Sequence, residues 1–146
     1  MERSEVSKLI LLNMNTFHNL VKIVNNEKFK TERTLTEKQF FALSSIKKHK
    51  KIELKNLSKD LYVSTSSLCI LLNKMVEKGY VYREEDSKDR RNTFYGITEE
   101  GEKVFLEEIK EILSIIEGKL SKISDEEISK LLDAMVEVDS IMSKLF

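Results

Sequence analysis

Along most of this chain apolar residues return every three or four positions, but between Tyr80 and Ile97 they return every second one. A period near 3.6 places apolar side chains on one stripe of a helix, and a period of two places them on one face of a strand. That pattern predicts a mainly α protein with a small β-hairpin. The complete lack of proline and the presence of only four glycines in 146 residues leave too few turn formers for an all-β plan. With 40% hydrophobic residues the chain carries enough apolar surface to fold, which argues against disorder. Its length is that of one domain able to bury roughly two-thirds of its unfolded surface.

Local signals divide the helical part. Val6, Leu9, Ile10, Phe17, Leu20, Val21 and Val24 predict a first helix from Ser4 to about Asn26. Thr36 and Gln39 form a capping box, with Leu35 and Phe40 as its hydrophobic staple, so a second helix starts at Thr36 and runs to a solvated end in the cluster Lys47 to Lys51. A short third helix is expected near Leu54 to Leu61. After the turn Tyr62-Val63-Ser64, Ser64 can cap a fourth helix and Val63 can staple against Leu68. The buried face of that helix reads Leu68, Leu71, Leu72, Met75 and Val76, and Gly79 sits where a left-handed stop is easiest. Its other face displays Ser66, Ser67, Cys69, Ile70, Asn73, Lys74 and Lys78.

Val81-Tyr82-Arg83 and Thr93-Phe94-Tyr95-Gly96-Ile97 predict a two-stranded hairpin. Its connection, Glu84 to Arg91, is longer than a tight hairpin needs. Thr98-Glu99-Glu100 restarts a helix whose stripe is Phe105, Ile109, Ile112, Ile116 and Leu120. A capping box at Ser124 and Glu127 opens a last helix, with Ile128, Leu131, Leu132, Met135, Val138, Met142 and Leu145 on one face.

Acidic and basic residues balance at 25 each, but unevenly along the chain. Residues 47–92 hold twelve basic and seven acidic side chains, whereas 93–146 hold six and thirteen. A basic middle suggests contact with an anion, and the acidic last third a different task. The longest uncharged stretch, Leu9 to Val21, is too short and too polar to cross a bilayer. With no export signal visible and Cys69 as the lone cysteine, the expected compartment is a reducing cytoplasm. No nucleophile, paired-carboxylate or glycine-rich phosphate signature stands out, so an enzyme is not expected, nor is a cofactor. His18, His49 and Cys69 do not make a zinc set, and Cys69 reads as a small packed side chain rather than a sensor.

Helix, turn, helix, hairpin is the order of a winged helix-turn-helix. Leu35-Thr36-Glu37-Lys38-Gln39-Phe40, Leu57-Ser58-Lys59-Asp60-Leu61, Val63-Ser64-Thr65-Ser66-Ser67, Asn73 to Val81, Arg83, Asp86 to Arg91 and Ile97-Thr98-Glu99-Glu100-Gly101 together resemble the MarR family of transcriptional regulators. The resemblance implies a single MarR-like domain. Residues 1–34 would be an N-terminal dimerisation helix and linker, 35–98 the winged DNA-binding module, and 99–146 the C-terminal dimerisation helices. It further implies a homodimer on palindromic double-stranded DNA, no membrane, and a repressor released by a small-molecule effector.

For the fourth helix the implied role is insertion into the major groove by Thr65, Ser66, Ser67, Cys69, Ile70, Asn73 and Lys74. Where the family often has Gly, this chain has Tyr62. Where it often has Thr-Arg, this chain has Cys69-Ile70, which removes a bidentate arginine and leaves an isoleucine able to touch a thymine methyl. In the loop, Lys88, Asp89, Arg90 and Arg91 carry the family's Asp-x-Arg pattern, implying an arginine in the minor groove oriented by its aspartate. The alternative is a winged-helix module that recruits a protein and never grips a duplex.

Overall fold

The computed structural model describes residues 2–146 as two compact units: residues up to Lys28 together with Ile112–Phe146, and Phe29–Glu111. The second unit holds α2 (Glu37–His49), β1 (Lys51–Glu53), α3 (Leu54–Leu61), α4 (Thr65–Glu77), β2 (Val81–Glu85), β3 (Thr93–Ile97) and the first half of α5 (Glu99–Leu120). Its core gathers Leu43 and Ile46 of α2, Leu57 of α3, Leu68, Leu72 and Met75 of α4, Tyr95 of β3 and Val104 and Phe105 of α5. The spacing of these positions within α2, α4 and α5 is the helical one that the sequence displays.

Local chemistry fixes the helix ends. Thr36 Oγ1 accepts from Gln39 N at 3.2 Å while Gln39 Oε1 accepts from Thr36 N at 3.0 Å, which satisfies two amides that the first turn of α2 leaves open. Ser64 Oγ accepts from Ser67 N at 3.2 Å and satisfies one such amide at the start of α4. Gly79 follows α4 at φ +79°, the left-handed stop expected there.

The sheet differs from the expected two-stranded hairpin. It is three-stranded and antiparallel in the order β1-β3-β2, with Ile52 opposite Tyr95 and Arg83 opposite the same tyrosine on the other side. The extra strand begins at Lys51, the last residue of the cluster read from sequence as the solvated end of the second helix, and continues through Ile52 and Glu53. After His49 the chain reverses at Lys50, whose φ is 62°, and the next three residues pair with β3. Three residues with one apolar member have no legible period, so β3 and the burial of Ile52 define β1.

Tyr62 is a second departure from ordinary backbone. It ends α3 at φ 52° and ψ 42°, the left-handed region, with its N–H directed to Lys59 O and Ser58 O, and Val63 N donating to Ser58 O at 3.2 Å closes the motif. For a residue with a Cβ this conformation costs about 1–2 kcal/mol, and the ring, 92% exposed, gains little packing in return. Tyr62→Gly is therefore expected to raise stability by about 1 kcal/mol, part of the relief being offset by glycine's greater unfolded-state freedom. A denaturant melt of the two proteins reads the sign directly.

The first unit contains α1 (Glu2–Glu27), α5 from Ile112, α6 (Asp125–Met142) and a 3-10 turn, Ser143–Leu145. Ser124 and Glu127 form the second capping box, with Ser124 Oγ accepting from Glu127 N at 3.2 Å and Glu127 Oε2 accepting from Ser124 N at 2.9 Å. An ion pair joins Lys119 of α5 to Glu27 of α1. Val24 is the one described residue of α1 that is buried, and no residue of α6 is. Leu9, Leu12 and Phe17 of α1, and Leu132, Val136 and Ile141 of α6, remain exposed. None of the described helices is long and apolar enough to cross a membrane.

Candidate nucleic-acid interface

α3, the turn at Tyr62, Val63 and Ser64, and α4 form a helix-turn-helix held from below by its own core. Leu68, Leu72 and Met75 are each at most 1% exposed and lock one side of α4 inward. Ser45 Oγ donates to Asp60 Oδ2 at 3.2 Å, and His49 Nε2 lies 3.2 Å from the same oxygen, tying the last turns of α2 to α3.

The opposite side of α4 is open. Ser66, Ile70 and Asn73 follow one another at spacings of four and three, so they line a single stripe facing away from the buried leucines. Thr65, Ser67 and Lys74 are also exposed and sit beside that stripe. Ser64 Oγ donates to Ser67 Oγ at 3.0 Å, which leaves the Ser67 hydroxyl its own proton to donate. Cys69 is half-buried, at the edge of the open face rather than on it.

The loop between β2 and β3 is ordered by its own polar groups. Lys88 N donates to Asp86 Oδ1 at 3.0 Å, Asn92 N to Asp89 O at 3.0 Å, and Asp86 N to Asn92 O at 3.0 Å. Inside this frame Asp89 Oδ1 accepts from Arg91 N at 3.1 Å and from Arg91 Nε at 3.2 Å, and Asp89 Oδ2 lies 3.4 Å from the terminal guanidinium nitrogen. The Arg91 side chain stays 92% exposed despite this clamp. Its guanidinium is aimed without being used up, because the fork presents five donors and the aspartate takes only some of them. Arg90 and Lys88 are exposed on the same loop.

The Arg91 side chain, then its backbone N–H, hold the Asp89 carboxyl below its ordinary value of 3.8. A group depressed on folding contributes stability above its unfolded value, and that contribution is lost as pH falls through the depressed one. A carboxyl-detected NMR titration should therefore find the Asp89 midpoint below 3.8, returning towards it in Arg91→Ala.

Two positions that brace this region are invisible in local sequence. Lys51 of β1 pairs with Glu84 of β2 at 3.1 Å and lies 5.2 Å from the centre of the Phe94 ring of β3, so one lysine touches both strands of the hairpin. Gly96 lies opposite Tyr82, whose ring occupies the space a Cβ would need: its Cζ atom would be 2.2 Å away. Neither relation has a short-range signal, since Lys51 and Glu84 are 33 residues apart.

A helix-turn-helix with an open reading face, followed by a small antiparallel sheet whose loop presents a clamped arginine, defines a winged helix-turn-helix protein. Residues 35–93 match the sequence pattern of the MarR family. The HTH-type transcriptional repressor MdtR of Bacillus subtilis is 28% identical over 93 residues, covering 64% of this chain and 60% of MdtR. The match thus spans less than two-thirds of that relative. Among solved structures, a MarR family protein from Bacillus stearothermophilus superposes with a TM-score of 0.73 at 24% identity, over 98% of this chain and 99% of the other. Streptococcus pneumoniae FabT, solved in complex with DNA, gives a TM-score of 0.65 at 20% identity, over 97% and 99%. At such identities the likeness establishes the fold.

Proposed function

We propose that this chain is a DNA-binding regulator of transcription that acts in the cytoplasm as a homodimer. The observation that carries the reading is the pairing, within one unit of a chain that matches the MarR pattern, of an open α4 face with a wing arginine held ready but exposed. In this reading Thr65, Ser66, Ser67, Ile70, Asn73 and Lys74 face the major groove and its phosphates, with half-buried Cys69 at their edge. Arg91, oriented by Asp89 and flanked by Lys88 and Arg90, enters the minor groove, where a narrow A·T-rich groove concentrates negative potential. The DNA-bound state of FabT supports the partner class, and the name of MdtR supports repression as the direction.

The division of labour follows the domain limits given above, 1–34, 35–98 and 99–146. Exposed apolar faces on α1 and α6 favour a second copy as their cover, because large apolar patches on a surface mark contact sites. Two modules related by a two-fold axis suit a palindrome whose half-sites lie about 34 Å apart. A small-molecule effector that binds better to a wrongly spaced dimer would withdraw the protein from DNA, which is how a ligand releases a repressor.

Titration of the full-length protein against duplex DNA flanking its own gene at several salt concentrations tests the reading. Phosphate neutralisation predicts that log affinity falls steeply with log salt, by about 0.9 per phosphate contacted. A flat dependence would leave a winged-helix module that recruits a protein instead. Mass measurement at micromolar protein tests the assembly, and a monomer there overturns the homodimer.

A further inference from the structure

We infer that the duplex recognised by this chain presents an A·T pair to the centre of α4, read through the thymine methyl by Ile70 and through the adenine edge by Asn73. The inference rests on the DNA-binding reading above and adds the base composition of the target.

The stripe that faces directly away from Leu68, Leu72 and Met75 is Ser66, Ile70 and Asn73, and it contains no cation. α4 has no arginine, and its single lysine, Lys74, lies on the flank, where a flexible point charge suits phosphate. A guanine in the major groove offers two acceptors, O6 and N7, and calls for a guanidinium or an ammonium. The central stripe offers Ser66 and Asn73 as single neutral donors but lacks the bidentate cationic fork that guanine favours. Thymine, by contrast, offers a C5 methyl, and adenine offers the N7 acceptor beside the N6 donor that an asparagine amide matches with two bonds.

Ile70 is the side chain that decides between the two. It is 64% exposed in the middle of the polar face, where a hydroxyl or charged residue would dissolve as well, and only an apolar partner recovers the cost of leaving it in water. Asn73, three residues further on the same exposed stripe, is the amide that would take the adenine of that pair.

The test uses the full-length protein and duplexes selected by it from a library randomised over 20 or so base pairs. In the tightest duplex, thymines are replaced by deoxyuridine, which deletes the C5 methyl and leaves pairing and the minor-groove edge intact. Wild type should bind the uridine duplex about fourfold more weakly for each methyl contacted. Ile70→Ala should bind the two duplexes equally, and circular dichroism of this surface variant checks its fold. Replacing adenine by 7-deaza-adenine should weaken wild type about fivefold or more and leave Asn73→Ala indifferent. Equal affinity of wild type for the thymine and uridine duplexes, or selection of guanine at the half-site centre, overturns this inference alone. Failure to bind any duplex in a salt-dependent way overturns the DNA-binding reading, and this inference with it.

Discussion

Gly101→Ala is expected to lower stability by about 3 kcal/mol, the upper end of the range for overpacking, and to lower Tm by roughly 10 °C for a chain of this size. A Cβ at Gly101 would stand 2.0 Å from Tyr80 O and 2.9 Å from Ile97 Cγ1. The obstructing atom is backbone, and it cannot swing aside. Tyr80 O accepts from Thr98 N at 3.1 Å, while Thr98 Oγ1 donates to Gly79 O at 2.6 Å and accepts from Gly101 N at 3.0 Å. Moving Tyr80 would therefore pull on the end of α4, the first pair of the hairpin and the start of α5 together. Gly118, in the same helix, supplies the contrast. Nothing lies within 4 Å of its Cβ position, so Gly118→Ala should stabilise by about 1 kcal/mol through helix propensity. Paired melts of the two variants test the claim, and a Gly101→Ala protein as stable as wild type would refute the close approach.

Arg91→Ala is expected to weaken duplex binding about tenfold to a hundredfold, the value of losing one charge-assisted contact at about 1.5–3 kcal/mol. Arg91 is free to reach outward, yet its Nε and backbone N–H are both fixed on Asp89 Oδ1. Arg91→Lys keeps the charge but loses the fork, so it should recover only part of the affinity. Asp89→Ala should cost less than Arg91→Ala, because it frees the guanidinium without removing it. Lys119→Ala, in the first unit, should leave affinity unchanged. Fluorescence anisotropy with one labelled duplex at fixed salt ranks all four, and equal affinities for Arg91→Ala and Lys119→Ala would remove the wing from the interface.

What was legible in the sequence was whatever depends on residues within one helical turn or one strand of each other. The capping boxes at Thr36 and Ser124, the cap at Ser64 and the stop at Gly79 are bonds spanning three to five residues, and each appears where its residue types predicted. The outward face of α4 could be written down because Leu68, Leu72 and Met75 fix the inward one. The clamp between Asp89 and Arg91 is two residues long and carries its own motif.

The remainder belongs to contacts between distant segments, which leave no local trace. Lys51-Ile52-Glu53 is a strand because β3, more than forty residues later, offers an unpaired edge and Ile52 finds cover there. By pattern alone Lys51 closed the solvated end of a helix, and Ile52-Glu53 carried no element. Tyr62 could be seen to replace a glycine, but the left-handed backbone it adopts appears only once α3 must end and α4 must begin at a set angle. Gly101 closes the motif Ile97 to Gly101 and Gly118 belongs to none, but the reason one glycine is obligatory and the other replaceable is the packing of α5 against Tyr80. Helix formation and capping are short-range choices that a dozen residues can make. Pairing an edge, or bringing two backbones within touching distance, is decided by the whole fold at once.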